Sequence, residues 1–385
     1  MPGLGTAYGA DLPPPPRPSM YAAVSRSVDT MPDHHKRTAL IIGGTGQIGT
    51  AAARRLAGDG WSVLLAHRGE HTGDPTLNEL DVTTVRLDRE NTDKLLEVAS
   101  GHDLVVDTVA YNTAHADQLA RLAGDVGSLV VISTGSVYVG RNGSYLDIAD
   151  DEDPEAFPDY PIPLHETDPT VDNDKRTYSP LKAAMERRLL ASKGLPVSIL
   201  RPGAIHGLFN PTPREWYFVK RALDGRSRII LSNDGQSRFS TSSTVNIAEL
   251  IALCAARPAR RVLNAVEEDT LTVAEIADTI FSAMGHNVEI VTFPGTSGAL
   301  GSTPWSTARP LVLSMDAAKA ELGYRQPVDY ATSVRSEIRM ITRAVAEAAD
   351  RHRSWQEAFP ALVSKMGADT WFDYAAEDAF TSSLN

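Results

Sequence analysis

Cysteine, long apolar runs and positive charge are all scarce in this sequence of 385 residues. The single cysteine, Cys254, excludes an internal disulfide and a cluster of thiolate metal ligands. No apolar stretch approaches the roughly 20 residues that a membrane-spanning helix needs, so we expect no membrane partner. The net charge of −12 disfavours nucleic acid as a partner, because phosphates attract basic surfaces. His34, His35 and His71 lack metal-ligand spacing, and we predict no metal site.

The first 37 residues have no apolar core of the length that a signal peptide needs. They contain the run PPPP and no hydrophobic periodicity, which is typical of a flexible or polyproline segment. We therefore predict a flexible tail over 1–37, in a cytoplasmic protein whose fold begins near Thr38.

Short apolar segments alternate with helical patterns from Thr38 to Pro202. Continuous apolar strands that alternate with helices are typical of a parallel sheet covered on both faces. We therefore predict a doubly wound parallel sheet, the Rossmann α/β class, over 38–202. The predicted strands are 38–42, 61–66, 82–87, 103–110, 128–133 and 196–202.

Three further segments depart from this alternation. Residues 141–176 are rich in Asp, Glu and Pro, and loops of this length are often functional or mobile. We predict an acidic insertion there that forms a lid or wall of the site. The pattern of 203–349 predicts a smaller, mixed α/β substrate-binding part, with short strands at RIIL and RVLNAV. Residues 350–385 form a C-terminal extension whose aromatic rings we expect to pack.

The stretch GGTGQIG follows the first predicted strand and opens a helix. In this context a G-x-x-G-x-x-G spacing predicts dinucleotide binding. Gly43 permits a tight turn, Gly46 lets the backbone approach a pyrophosphate, and Gly49 lets the helix pack closely on the strand. The helix N-terminus offers N–H groups and the positive end of its dipole to the phosphates. The predicted cofactor contacts of this loop are Gly43, Thr45, Gly46, Gln47, Ile48 and Gly49.

The stretch TYSPLKAAMERRLL places Tyr178 and Lys182 one helical turn apart. Ser179 is suited to the N-cap of this helix and Pro180 to its first position. A nearby ammonium favours the phenolate, so such a pair can supply a general acid or base nearer neutral pH. The alternative is a chance spacing on a structural helix.

The chain resembles the extended short-chain dehydrogenases/reductases, the NAD-dependent epimerase/dehydratase family. The glycine spacing has that group's form, and YSPLK supplies its Tyr-x-x-x-Lys pair. ISTGSVYVG resembles its fifth-strand segment, in which a Ser or Thr three residues before Val-Tyr is catalytic. LRPGAIHG and MDAAKAELGY resemble later segments, so the likeness runs from about Thr38 to Tyr330. The resemblance implies catalytic roles for Thr134, Tyr178 and Lys182.

The implied chemistry is hydride transfer at a carbonyl or alcohol. Tyr178 would protonate the oxygen, and Lys182 would stabilise the phenolate and hold the cofactor ribose. Thr134 would hydrogen-bond the same oxygen. Ser136 is an alternative to Thr134, or else a turn hydroxyl without a role. The resemblance also implies cofactor contacts at Tyr178, Lys182 and Ala110.

The choice of cofactor depends on the end of the second strand, LLAHRGE. NAD usually requires an acid there, whereas an arginine suits the 2′-phosphate of NADP. Ala66 and His67 occupy the acid's place and Arg68 follows, which favours NADP over NAD unless Arg68 is only a surface charge. Asp88 resembles the family's adenine contact, although an N-cap role for the next helix is an alternative.

The substrate positions depart from the family pattern. Nucleotide-sugar enzymes commonly have Asn where Ala204 stands and Tyr where His206 stands. His206 is a candidate substrate contact or second acid/base, or an ordinary hydrogen-bonded histidine. Arg309 is a candidate diphosphate contact, although its spacing to Asp316 is short. Sugar 4,6-dehydratases carry an Asp-Glu pair at Gly135-Ser136, so we do not expect that chemistry.

We therefore predict an NAD(P)-dependent oxidoreductase acting on a small-molecule substrate. One alternative is a nucleotide-sugar epimerase with tightly bound NAD. Another is a non-catalytic, dinucleotide-sensing or RNA-associated binding protein on the same fold. The resemblance also implies a possible homodimer.

Overall fold

The computed structural model describes residues 36–69, 74–149, 153 and 155–383. Of the predicted tail over 1–37, all but Lys36 and Arg37 lie outside the described residues. The strands are β1 (Thr38–Ile42), β2 (Ser62–His67), β3 (Val82–Arg86), β4 (Leu104–Asp107), β5 (Ser128–Ile132), β6 (Val197–Arg201), β7 (Ala204–His206), β8 (Arg228–Leu231), β9 (Thr241–Ser243), β10 (Arg261–Asn264) and β11 (Glu289–Thr292).

Helices follow most of these strands. They are α1 (Gln47–Gly58), α2 (Thr92–Ala99), α3 (Thr113–Ala120), α4 (Tyr178–Ala191), α5 (Trp216–Leu223), α6 (Thr244–Ala256), α7 (Val273–Met284), α8 (Asp316–Leu322), α9 (Tyr330–Asp350), α10 (Trp355–Ala358), α11 (Pro360–Met366) and α12 (Tyr374–Ser383). Among the described residues, no helix is both long and apolar enough to cross a bilayer.

Seven strands form one parallel sheet in the order β10-β6-β5-β4-β1-β2-β3. Alternate residues of β1 face opposite sides, because side chains alternate along a strand. Ala39 and Ile41 pack in the cluster that includes α1 and α6, whereas Leu40 and Ile42 pack in the cluster that includes α2, α3 and α4. Both faces are therefore covered, and the predicted doubly wound sheet is confirmed.

The strand order reverses between β4 and β1, and the register brings their carboxyl ends together. Ile42 pairs with Ala66 of β2 on one side and with Asp107 of β4 on the other. Ligands of doubly wound sheets bind in the crevice outside such a reversal. The fold thus directs the glycine loop, the end of β2 and the end of β4 toward one crevice.

The segment RVLNAV belongs to the main sheet, not to the C-terminal part where the sequence suggested a short strand. Its β10 pairs in parallel with β6, from Arg261 with Ser198 to Asn264 with Arg201. A four-residue strand carries no local signal of its partner, so topology alone decides its sheet. The smaller part contains two separate two-stranded sheets, β8 with β11 and β7 with β9.

Aromatic side chains fill the core of the C-terminal part. Trp216 of α5 packs against Trp355, Phe359 and Phe372, with ring centroids 5.6 to 6.4 Å apart. Those three rings belong to the C-terminal extension. The buried guanidinium of Arg221 donates to Glu377, which attaches α12 to α5.

Candidate active site

The glycine loop forms one wall of a cavity of about 360 Å³ at the strand reversal. Gly43 has a positive φ of 79°, and a Cβ there would lie 2.3 Å from the hydroxyl of Thr108. A Cβ on Gly49 would lie 2.5 Å from the carbonyl oxygen of Gly43. Both positions therefore require glycine, one for its backbone conformation and the other for the close approach of α1. The cavity is lined by Ile42, Gly43, Thr45, Gly46, Ala66, His67, Arg68, Leu87, Asp88, Arg89, Glu90, Val109 and His115.

The residues of this cavity fit a dinucleotide. α1 begins at Gln47, and its N-cap, Gly46, has no side chain that could accept a hydrogen bond from the first turn. The first N–H groups of a helix have no partner within the helix and carry a partial positive charge. Phosphate oxygens suit that position. Ile48 is buried behind the loop, so its backbone, not its side chain, is available to a ligand.

The end of β2 supplies the opposite wall. His67 and Arg68 line the cavity without a carboxylate at the strand end, while Asp88 and Glu90 line it from the loop after β3. Asp88 is not the N-cap of α2, because Asn91 caps that helix through the N–H of Lys94. Its carboxylate accepts instead from the N–H of Glu90 at 3.0 Å.

A buried ion pair that no sequence pattern indicates lies at the cavity wall. Arg89 donates to the fully buried Asp107 at 2.7 Å. Asp107 also accepts from the N–H groups of Val109 and Ala110 at 2.9 and 2.7 Å. This network fixes the turn after β4, which forms part of the cavity. An acid at a strand end was visible in the sequence, but its partner, 18 residues earlier in the chain, was not.

Thr134 and Ser136 share a tight turn directly after β5. Thr134 Oγ1 accepts from the N–H of Ser136 at 3.1 Å and lies 2.9 Å from its Oγ. The two hydroxyls are therefore hydrogen-bonded to each other. Between them, a Cβ on Gly135 would lie 3.0 Å from Leu313 and 3.3 Å from the carbonyl oxygen of Pro202. The turn leaves little room for the acidic pair of a sugar 4,6-dehydratase.

Tyr178 is the first residue of α4 and stands beside Thr134. Its phenol is near enough to the Thr134 hydroxyl for that group to favour the phenolate, and its ring lies 5.8 Å from that of Tyr111. Burial raises the pKa of Tyr178, although the Thr134 side chain acts in the opposite direction. The expectation that the nearby ammonium brings this phenol nearer neutral pH is therefore wrong, because burial outweighs it. Because 42% of the residue is exposed, water screens part of this effect.

The predicted N-cap of this helix is wrong. Thr177 is the N-cap, without a side-chain cap bond, and Ser179 lies inside the first turn. Both the N–H and the hydroxyl of Ser179 donate to the carboxylate of Asp147, at 2.8 and 2.5 Å. A residue from the acidic insertion thus takes the place of the expected cap.

Lys182 is buried one turn after Tyr178. Its Nζ donates to the carbonyl oxygens of Ala110 at 2.7 Å and Ile132 at 3.0 Å, and it lies 6.0 Å from the centroid of the Tyr178 ring. Burial lowers the pKa of Lys182 to about 8, although Asp107 and Glu186 favour the charged form. The ammonium thus lies between the ends of β4 and β5, next to the cavity.

His206 occupies a buried acidic cluster and not an open surface. Its Nε2 lies 2.9 Å from Glu267 and its Nδ1 lies 3.7 Å from Glu337. Burial alone would lower the pKa of His206, but Glu267, Glu215 and Glu337 raise it to about 9. The side chain is 1% exposed, so a substrate could reach it only if this cluster opened. Neighbouring Ala204 is buried in β7.

The same cluster contains ligand types that metals use. Atoms of His206, Glu215 and Glu337 lie within 4.8 Å of one another. Glu337, however, already accepts from the N–H of Gly207 at 2.7 Å and from Asn210 at 2.9 Å. Burial raises the pKa of Glu337 well above its ordinary value, and this favours its neutral form and reduces the negative charge of the cluster.

Arg309 is engaged by the acidic insertion. Its guanidinium lies 3.1 Å from Glu155 and 3.2 Å from Asp159. A diphosphate would have to displace both carboxylates to bind there. The insertion also pairs with the segment after Arg309, since Leu164 exchanges backbone hydrogen bonds with Val312 and Ser314.

Comparison with known families decides the identity of the fold. Residues 39–266 match the model of the NAD dependent epimerase/dehydratase family. The chain belongs to this family. The predictions of an enzyme and of the extended short-chain dehydrogenase/reductase resemblance are therefore confirmed. No curated protein matches the sequence.

Solved structures of similar fold cover about four-fifths of the chain. A dTDP-glucose 4,6-dehydratase from Bacillus anthracis in complex with NAD has a TM-score of 0.60 at 18% identity, over 80% of this chain and 97% of its own. A UDP-N-acetylglucosamine 4-epimerase from Bacillus cereus has a TM-score of 0.61 at 18% identity, over 80% and 97%. A UDP-glucose 4-epimerase from Thermotoga maritima with UDP-glucose has a TM-score of 0.60 at 18% identity, over 80% and 99%. At these identities the likeness concerns the fold.

Proposed function

We propose that the protein transfers a hydride between a nicotinamide dinucleotide and a carbonyl or alcohol group of a small metabolite. The observation that carries the proposal is the meeting of Thr134, Tyr178 and Lys182 at the end of the sheet, beside the open glycine loop. These three polar side chains come from two elements, the β5 turn and α4, and lie near one another at the carboxyl ends of β4 and β5. A purely structural role would not require that convergence.

The bound dinucleotide would supply or accept the hydride. On reduction, negative charge develops on the substrate oxygen, and the Tyr178 phenol donates its proton there. Thr134, whose hydroxyl lies near that phenol, would donate to the same oxygen and hold it in place. The Lys182 ammonium then stabilises the phenolate that remains.

The pKa of Lys182, about 8, suits this role. The ammonium is charged at neutral pH, yet it lies in a buried environment where its charge acts strongly on neighbouring groups. The carbonyl oxygens of Ala110 and Ile132 hold the ammonium in place between the strand ends. This part of the site is preorganised and needs no rearrangement during proton transfer.

The proposed cofactor is NADP, with NAD as the alternative. The end of β2 presents His67 and Arg68 to the cavity, where a carboxylate would favour the ribose hydroxyls of NAD. Asp88 would contact the adenine end. A preference for NADP would distinguish this protein within a family described as NAD dependent.

The proposed substrate lacks a diphosphate. Arg309, the cation that the family pattern suggests for such a group, is paired with Glu155 and Asp159. The absence of the usual Asn at Ala204 and the burial of His206 also remove polar contacts that a nucleotide sugar would use. A compact, neutral or weakly charged carbonyl compound suits the remaining site better.

A nucleotide-sugar epimerase is the second candidate, favoured by the fold relatives bound to NAD and UDP-glucose. An epimerase oxidises and re-reduces the same carbon, so it consumes no added cofactor. The discriminating experiment denatures the purified protein, identifies any dinucleotide released, and tests NADPH oxidation with a panel of aldehydes and ketones. Carbonyl-dependent NADPH oxidation supports the proposal. Stoichiometric NAD released from a protein that oxidises no NADPH would favour the epimerase.

A further inference from the structure

The acidic insertion is joined to the first turn of α4 by one carboxylate. Asp147 accepts from the N–H of Ser179 at 2.8 Å and from its hydroxyl at 2.5 Å. Ser179 is fully buried and follows Tyr178 directly. Asp147 thus links the acidic insertion to the residue next to Tyr178, the proposed acid/base.

We propose that Asp147 is a positioning residue for the hydride-transfer reaction: it fixes the first turn of α4, and thereby the phenol of Tyr178, beside Thr134. The inference rests on the proposed function of Tyr178. It adds a residue that no motif of the sequence indicated.

The chain around Asp147 is itself held in place. Asp147 lies in a short 3-10 turn, Leu146–Ile148, that follows the buried Tyr145. Farther along the insertion, the N–H of Val171 donates to Val137 at 2.7 Å, and the N–H of Val139 donates to Pro169 at 3.1 Å. The insertion is therefore bonded to the Thr134 turn as well as to α4, and it couples the two elements that carry the proposed catalytic groups.

Local chemistry explains why a carboxylate is needed there. The first-turn N–H groups of a helix require acceptors from outside the helix, and Thr177 provides no side-chain cap. A buried N–H and a buried hydroxyl without partners would be costly. One carboxylate satisfies both, and its negative charge also suits the positive end of the helix dipole.

The charge of Asp147 also acts on the phenol. The groups that face Tyr178 are the Thr134 hydroxyl, the Tyr111 phenol, the Lys182 ammonium and the Asp147 carboxylate. After burial, which is the main cause, Tyr111 and Asp147 raise the pKa of Tyr178, and Thr134 lowers it. A negative charge disfavours the phenolate, so removal of the Asp147 charge must lower the pKa of Tyr178.

Asp147→Asn is the direct test, because it keeps the shape of the side chain and one acceptor oxygen while it removes the charge. Proteins labelled with ¹³Cζ-tyrosine are titrated by NMR through the alkaline range, and Tyr178→Phe serves only to assign the Tyr178 signal. We expect the Tyr178 midpoint to move to lower pH in Asp147→Asn. The matched control is Asp168→Asn, which removes a half-buried acid of the same segment whose carboxylate accepts from the N–H of His165. An unchanged midpoint in Asp147→Asn, or an equal shift in Asp168→Asn, overturns the proposal.

Ser179→Ala distinguishes the positioning of Tyr178 from the effect of the Asp147 charge. It also provides a second variant if Asp147→Asn folds poorly. It removes the hydroxyl contact but keeps the carboxylate, so we expect a midpoint closer to wild type than in Asp147→Asn. With a carbonyl substrate from the NADPH panel, both variants should lose turnover by about tenfold or more while dinucleotide affinity stays unchanged. Wild-type kcat in both variants would contradict a positioning role. The NMR titration needs no substrate, so it still tests Asp147 if Tyr178 proves not to be catalytic.

Discussion

The glycine loop and the His206 cluster are two polar regions of this protein with opposite designs. At the loop, α1 begins after a glycine cap, Gly46, which lines a cavity of about 360 Å³. Around His206, the polar groups are turned inward, and Glu267, Glu337 and Asn210 are bonded within the protein. The first region offers unsatisfied donors to a ligand. The second satisfies most of its own groups.

The difference shows how polar residues of similar type acquire different roles. His206 and Lys182 are both buried and both lie close to carboxylates. Lys182 is bonded to Ala110, next to Val109 in the wall of the open cavity, while His206 is enclosed by Glu267 and Glu337. Access, and not residue type, therefore separates a group that can act on a ligand from one that stabilises the fold. The two regions should respond differently to substitution.

Lys182→Met should produce the largest loss on the open side. Without the ammonium, turnover should fall by about 10²–10⁴-fold, and dinucleotide affinity should also weaken. Because the pKa of Lys182 is about 8, the dinucleotide affinity of the wild-type protein should fall as pH rises through that value. The affinity of the variant should not show this fall. Dissociation constants measured across pH provide the check. Lys193→Met, at an exposed lysine just after α4, is the control and should behave as wild type.

His206→Gln should affect stability instead of cofactor binding. Loss of the cation leaves the buried Glu267 carboxylate without its charged partner, which should cost about 3–5 kcal/mol of the free energy of unfolding. The folded-state pKa of His206, about 9, exceeds the reference value of about 6.5. Its stabilisation is therefore complete below pH 6.5 and is lost as pH rises through about 9.

Urea unfolding at several pH values measures how the free energy of unfolding changes with pH. The half-buried His102, bonded to the carbonyl oxygen of Ala99, supplies the control variant His102→Gln. A His206→Gln protein with wild-type stability and a wild-type pH slope would remove the contrast between the two regions.

Arg68→Ala tests the ligand preference of the open region. If Arg68 binds the 2′-phosphate, NADP affinity should fall by about 10- to 100-fold, as expected for a hydrogen bond to a charged group. NAD affinity should change little. Calorimetric titration with both dinucleotides decides, and Arg121→Ala, at the exposed end of α3, is the control. Equal losses for NADP and NAD would contradict the proposed preference.

Arg309→Ala should have the smallest effect. Its partner Glu155 is largely exposed, and exposed ion pairs contribute about 0–1 kcal/mol. The free energy of unfolding should change within that range, and KM for a substrate without phosphate should stay near the wild-type value. A large rise in KM would show that Arg309 leaves its carboxylates to bind the substrate, which favours the nucleotide-sugar alternative.

The parts predicted well from sequence are those that local chemistry specifies. Continuous apolar strands predict the parallel sheet. The spacing of Gly43, Gly46 and Gly49 predicts the tight turn between β1 and α1. The N-cap at Ser179, the sheet of β10 and the surroundings of His206 depend on partners distant in the chain. Asp147 lies 32 residues before Ser179, within a segment that has no periodicity, so no local pattern indicates their contact.

Turnover of Tyr178→Phe, measured together with its dinucleotide dissociation constant, tests the central claim most directly. The substitution removes one oxygen and keeps the ring, so its contact with Tyr111 and the packing of Met185 and Leu189 should remain. We predict that kcat falls by about 10²–10⁴-fold while the dissociation constant stays within about a factor of two or three, a change well below the 1.4 kcal/mol of a tenfold difference. Near-wild-type kcat in Tyr178→Phe would contradict the account, because the Tyr178 and Lys182 pair would then be structural.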